Sequence, residues 1–144
     1  MRVLLDTNVL AVGAAEHHWG QDRPCARIWQ FWQAKKFELL VSEHILNELK
    51  QALRTPWFRE RLTQELISSL PDEVFRQATV VEMNQDMPRV TSHWQDDLVL
   101  SAAISGNADY LVTRDAAFRR VGEYQGVKIR TPDEFLQEFD ARTA

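Results

Sequence analysis

Cysteine is nearly missing from this chain of 144 residues. Cys25 stands alone, which rules out an internal disulfide framework and suits a reducing compartment. No apolar run approaches the roughly 20 residues that a membrane-spanning helix requires, and the first residues lack the basic-then-apolar pattern of a secretion signal. The expectation is a cytoplasmic protein with no membrane partner. A surplus of positive charge is missing too: 17 Lys and Arg against 21 Asp and Glu leave a net −4. Capture of nucleic acid by bulk attraction is thereby excluded, though a local basic rim is not. Lys35, Lys36, Arg54, Arg59, Arg61, Arg119 and Arg120 are candidates for such a rim, each read first as solvated surface. A Gly-rich phosphate loop, a His/Cys metal set and a Ser-His-Asp elbow are all absent, as are repeats, low-complexity runs and linkers.

What is present is a hydrophobic content of 44%, enough for one domain with a real core. The stretch Arg2–Leu10 organises the rest. Val3, Leu4 and Leu5 form a short apolar run suited to a strand buried on both faces. Asp6 follows where that strand leaves the core, with Thr7 and Asn8 behind it and a short helix through Val9–Val12. A carboxylate at the carboxyl edge of a parallel sheet stands where open α/β folds bind ligands. The same position suits a helix cap, and this segment alone supports both readings.

Further on, Glu16–Arg23 with His17 and His18 reads as a loop, and Asp22 as the cap of a helix opened by Pro24. Ile28, Trp29, Phe31 and Trp32 give that helix an apolar stripe for core or dimer packing. Phe37–Val41 is a second strand. Ser42 caps the next helix, where Glu43 suits the first turn and Ile45, Leu46, Leu49 and Leu53 form the buried face. Glu48 flanks that face. Thr55-Pro56 breaks the helix, a second one over Trp57–Leu70 ends at Pro71, and a short third spans Asp72–Gln77. A strand over Ala78–Met83 and a loop over Asn84–Gln95 follow. Asp96 and Asp97 open a buried helix through Ser105 that Gly106-Asn107 ends. Ala108–Thr113 is a strand with Arg114-Asp115 at its exit, repeating the arrangement at Asp6, and Ala116–Arg120 is a short helix. Val127–Arg130 is the last strand, and Thr131–Glu134 is a capping box for a terminal helix. Strands alternating with helices predict a parallel sheet covered on both faces.

Crowded carboxylates repel unless a cation is shared, and a set of hard oxygen ligands suits Mg²⁺ or Mn²⁺. Asp6-Thr7-Asn8 after a first strand, Ser42 with Glu48-Leu49, Asp96-Asp97-Leu98 through Ala103, and Ala108–Asp115 together resemble the PIN-domain family. The ordered set is similar to the toxin component of bacterial toxin–antitoxin pairs, the VapC-type ribonucleases. The resemblance implies a three-layer α/β/α sandwich around a central, mainly parallel, Rossmann-like sheet. It implies one domain over residues 1–144, with a core of about 2–131 and a terminal helix of about 132–141. It also implies a Mg²⁺- or Mn²⁺-dependent endoribonuclease acting on single-stranded RNA, with Asp6, Glu48, Asp96 and Asp115 as acidic metal ligands. Asn8 and Thr113 would support them by hydrogen bonding, and a homodimer and a cognate antitoxin are the implied protein partners. Asp97 adjoins Asp96, and the family register, kept by Leu98 to Ala103, favours Asp96 as the ligand with Asp97 auxiliary. His93 departs from the pattern, standing where the related branch often has a further Asp. Two other classes compete. One is a catalytically silent module of the same fold that binds RNA or protein. The other is a phosphoacceptor receiver-like domain, which would want a lysine that Thr113–Asp115 lacks.

Overall fold

The computed structural model describes residues 1–82 and 94–143. The chain runs β1 (Arg2–Leu5), α1 (Thr7–His18), α2 (Pro24–Gln33), β2 (Glu38–Val41), α3 (Glu43–Leu53), α4 (Pro56–Arg59), α5 (Gln64–Gln77) and β3 (Thr79–Val80). It continues with α6 (Trp94–Ser105), β4 (Tyr110–Val112), α7 (Ala116–Arg119), β5 (Glu123–Tyr124), β6 (Val127–Arg130) and α8 (Pro132–Thr143). The strands form one sheet in the order β3-β2-β1-β4-β6-β5, parallel throughout except for the β5–β6 hairpin. Strand β1 is paired on both sides, which is why Val3, Leu4 and Leu5 are continuously apolar and at most 1% exposed.

The register Leu4↔Leu40 and Leu4↔Leu111 sends these three side chains to one face, and Val3↔Tyr110 sends the next set to the other. On the Leu40 face lies the end of α6, where a Cβ on Gly106 would come within 2.9 Å of Leu40 Cδ1. On the Tyr110 face lies α8, whose Phe135 packs edge-on against Tyr110 and Phe37 at ring distances of 5.2 and 5.9 Å. Helix α2 joins α8 there through Phe31 and Phe139, 4.9 Å apart. The result is a three-layer α/β/α sandwich around a mainly parallel sheet, the expected fold.

Several local expectations need correction. Glu16, His17 and His18 belong to α1, because the alanines at 11, 14 and 15 favour the helix and are buried on it. Asp22 does not cap α2. Arg23 takes that position in extended backbone with no side-chain bond, and Pro24 alone presets the first turn. Pro71 does not end a helix but lies inside α5. A proline there costs about 3 kcal/mol, yet burying Leu70 and Val74 returns about 1.5–3 kcal/mol each, so packing wins. Gln95 is helical, and the strand from Ala78 is reduced to Thr79–Val80. The loop residues from Asn84 to His93, and Met83, lie outside the described residues. The two-residue strand β5 has too little sequence to show an alternation, and it owes its existence to the turn at Gln125-Gly126, both with positive φ. The capping box at Thr131 is present as expected: Glu134 N donates to Thr131 Oγ1 and Thr131 N to Glu134 Oε1.

Helices α1 and α2 approach so closely that a Cβ on Gly13 would stand 2.7 Å from the Cys25 carbonyl oxygen. Backbone cannot yield as a flexible side chain would. Gly13→Ala should therefore destabilise the protein by about 1–3 kcal/mol despite alanine's better helix propensity. The check is the midpoint of thermal or urea unfolding, and a midpoint at or above wild type would contradict this packing.

Candidate active site

Adjacent parallel strands β1 and β4 end at the same edge. Asp6 N donates to Val112 O at 2.9 Å, and Thr113 N to Arg130 O at 2.9 Å, so the ladder carries both residues one step past their strands. There Thr113 Oγ1 donates to Asp6 Oδ2 at 2.8 Å and accepts from the Asp115 amide at 3.1 Å. One hydroxyl thus holds together two segments 107 residues apart. The other Asp6 oxygen accepts from Thr7 N at 2.8 Å and caps α1, while Asp115 Oδ1 accepts from Ala117 N at 2.8 Å and caps α7. The cap reading of Asp6 holds, one oxygen accepting from Thr7 N, and the residue also lines a cleft.

Glu48 arrives from α3. Ser42 Oγ accepts from Ile45 N and fixes the start of that helix, whose apolar residues turn inward and leave Glu48 half-buried at the margin. Thr7 Oγ1 donates to Glu48 Oε1 at 3.2 Å, tying Glu48 to the residue after Asp6. His44 Nε2 lies 3.1 Å from the same oxygen, one helical turn back, though off the hydrogen-bond line. The His44 ring is 6.4 Å from that of Trp94, so the first turn of α6 starts beside this end of α3. That turn carries Asp96, half-buried, and Asp97, 4% exposed. Their directions differ by about 100° around the helix. Asp6, Asn8, Arg114 and Asp115 line a cleft of about 490 Å³, with Arg114 Nη1 donating to Asn8 Oδ1 at 3.4 Å.

The sequence model of the PIN domain matches residues 2–117. The chain belongs to the PIN domain family. Its fold also resembles a chain of VapBC2 from Rickettsia felis, solved bound to a DNA fragment from their promoter. That likeness has a TM-score of 0.56 at 17% identity and covers 91% of this chain and 98% of the other. At such identity it speaks for the fold alone. No curated protein matches the chain.

In this PIN domain the two edges of the sheet treat acids differently. At the amino edge Arg2 meets both: its backbone N donates to Asp109 Oδ2, and its guanidinium pairs with Glu38. At the carboxyl edge Asp6, Glu48 and Asp115 rest on hydroxyls and amides. Burial pushes the Asp6 carboxyl above its usual range. The bonds from Thr113 and Thr7 pull it back only in part, and the charges of Glu48 and Asp115 push it further up. Among the described residues no three His, Cys, Asp or Glu side chains converge closely enough to hold a metal ion. By donor chemistry the set is nonetheless that of a hard dication: carboxylate oxygens that disfavour one another when charged. Sequence reasoning gave no role to Thr7, His44 or Arg114. His44 was recoverable, since it precedes Glu48 by one turn and shares its helix face.

The raised Asp6 pKa has a consequence for stability. The folded protein binds the Asp6 proton more tightly than the unfolded chain does, so this group's contribution falls as pH rises from the ordinary aspartate value of 3.8 through the folded value. Asp6→Asn removes the titration. In metal-free buffer the variant should gain stability relative to wild type as pH is raised from about 4 to 7. Parallel urea melts across that range test it, and a constant difference would show that Asp6 is not destabilised as an anion.

Proposed function

We propose that this PIN domain is a divalent-metal-dependent endoribonuclease acting on single-stranded RNA, the toxin of a toxin–antitoxin pair. The observation that carries this reading is the Asp6–Thr113–Asp115 junction, with Glu48 linked to it through Thr7. Mg²⁺ or Mn²⁺ would be held by Asp6, Glu48, Asp96 and Asp115. Such an ion, when bound, supplies activation of water and stabilisation of charge on a phosphodiester. The chain's own residues set that stage. Thr113 keeps the Asp6 carboxyl from turning away, and Thr7 orients Glu48. Asn8, exposed at the cleft mouth, and Asp97 complete the supporting set. Arg114, exposed beside Asp115, offers a guanidinium to a substrate phosphate. Hydrolysis in this reading leaves a 3′-hydroxyl and a 5′-phosphate. The protein would act in the cytoplasm as a homodimer held in check by an antitoxin. No described helix is long and apolar enough to cross a membrane.

Asp6→Asn and Asp115→Asn should each abolish cleavage of a single-stranded RNA at saturating Mn²⁺ while circular dichroism stays native. Asp96→Asn should be nearly dead and Asp97→Asn only partly impaired. A dead Asp97→Asn with an active Asp96→Asn would exchange the two roles. RNA bound but uncut by wild type in both Mg²⁺ and Mn²⁺ would instead favour the silent binding module.

Metal linkage gives an independent check. Mn²⁺ that binds the native acids alone should raise stability by about 2.7 kcal/mol at a hundredfold excess over Kd. The gain should shrink in Asp6→Asn. Melts of wild type that ignore millimolar Mn²⁺ would count against a metal site.

A further inference from the structure

At the far end of α1 from the acid cleft lies a cluster that the proposed chemistry does not use. Trp19 follows the last turn of α1, and Trp57 belongs to α4. They are 39% and 42% exposed, although tryptophan is highly buried on average. Their rings are 5.9 Å apart, and the Arg61 guanidinium is lodged against both, 4.4 Å from the centre of Trp57 and 5.6 Å from that of Trp19. Backbone contacts lock the group. Trp19 Nε1 donates to the Arg61 carbonyl at 3.0 Å, and Arg61 Nη1 donates to the Trp57 carbonyl at 3.0 Å. Trp57 also leans edge-on against Phe58, 4.7 Å away, which is itself in the core. Glu60 Oε2 lies 3.7 Å from Arg61. It is the one acid in Arg54–Arg61, against Arg54, Arg59 and Arg61, so the segment is positive in a chain of net −4.

Rigid, half-exposed indoles beside arginines are the makings of a platform for single-stranded nucleic acid. Bases stack on aromatic faces there, and guanidinium groups meet the backbone. Charge complementarity favours this occupant over a protein. Covering Arg54 and Arg59, both exposed, with apolar surface would desolvate their charges, whereas a phosphate chain neutralises them. The position fits as well. Asp6 caps one end of α1 and Trp19 the other, which separates them by about 20 Å, or about six stacked nucleotides at about 3.4 Å each.

We propose that Trp19, Trp57 and Arg61 form a second contact for single-stranded RNA, engaged by the flanking part of a substrate whose scissile bond lies in the acid cleft. This rests on the reading of that cleft as a ribonuclease site. The test measures anisotropy of a labelled 12-nucleotide and a labelled 4-nucleotide single-stranded RNA in metal-free buffer, using the whole protein. Trp57→Ala and Arg61→Ala should each weaken the 12-mer about tenfold and leave the 4-mer unchanged. Trp57→Phe should keep most of the affinity, because an aromatic face remains for a base to stack on. Sedimentation of each variant accompanies the binding. Folded variants that bind the 12-mer like wild type would overturn the proposal. So would a Trp57→Ala protein that becomes monomeric where wild type is dimeric, because the surface then belongs to a second copy. Variant-dependent binding without any Mn²⁺-supported cleavage would uphold the platform while removing the ribonuclease reading. Cleavage with variant-independent binding would do the reverse.

Discussion

A single hydroxyl holds the functional edge of this protein together. Thr113 Oγ1 gives its proton to Asp6 and takes one from the Asp115 amide, so two loops leaving different strands share an atom. That sharing depends on β1 and β4 being neighbours in register, which in turn depends on the uninterrupted apolar runs of both strands. An alternating strand would have exposed one face and lost the covering helices. The acid edge is therefore a by-product of how the core is filled, one step beyond where the core ends.

The electrostatics follow from the same placement. Acids near the amino edge find Arg2, which is exposed and free to reach them. At the carboxyl edge Asp6 and Asp115 cap α1 and α7, whose amides stabilise negative charge. For Asp6 this is outweighed by burial and by the charges of Glu48 and Asp115. A protein of net negative charge thus gathers like charges at one edge of its sheet. Arg114 brings one positive charge to the mouth of the same cleft, and Arg54, Arg59 and Arg61 gather around α4.

Much of this was legible in the residues. Val3–Leu5, Leu39–Val41 and Leu111–Val112 announced buried strands by composition, and Ser42 and Thr131 announced helix starts by cap chemistry that the structure reproduces. Asp6 and Asp115 were legible as acids at strand exits and Glu48 only through the family resemblance, whereas the threonine that joins two of them was legible only as a supporting neighbour. What stayed hidden depended on tertiary contact. Pro71 reads as a stop until the burial of Leu70 and Val74 is known. The partnership of Thr7 with Glu48 spans 41 residues and leaves no local trace. The contact of Arg61 with both Trp19 and Trp57 joins three residues that had each read as loop, helix or surface.

The central position of β1 also bears on how the protein is made. Strand β1 pairs with strands that come much later in the chain, β2 from residue 38 and β4 from residue 110. During synthesis Asp6 acquires its Thr113 partner only after a further 107 residues, about 5–20 s at ordinary synthesis rates. Until then the nascent chain has no assembled acid edge. A sheet wound outward from its first strand thus completes its carboxyl edge late, once β4 has been laid beside β1.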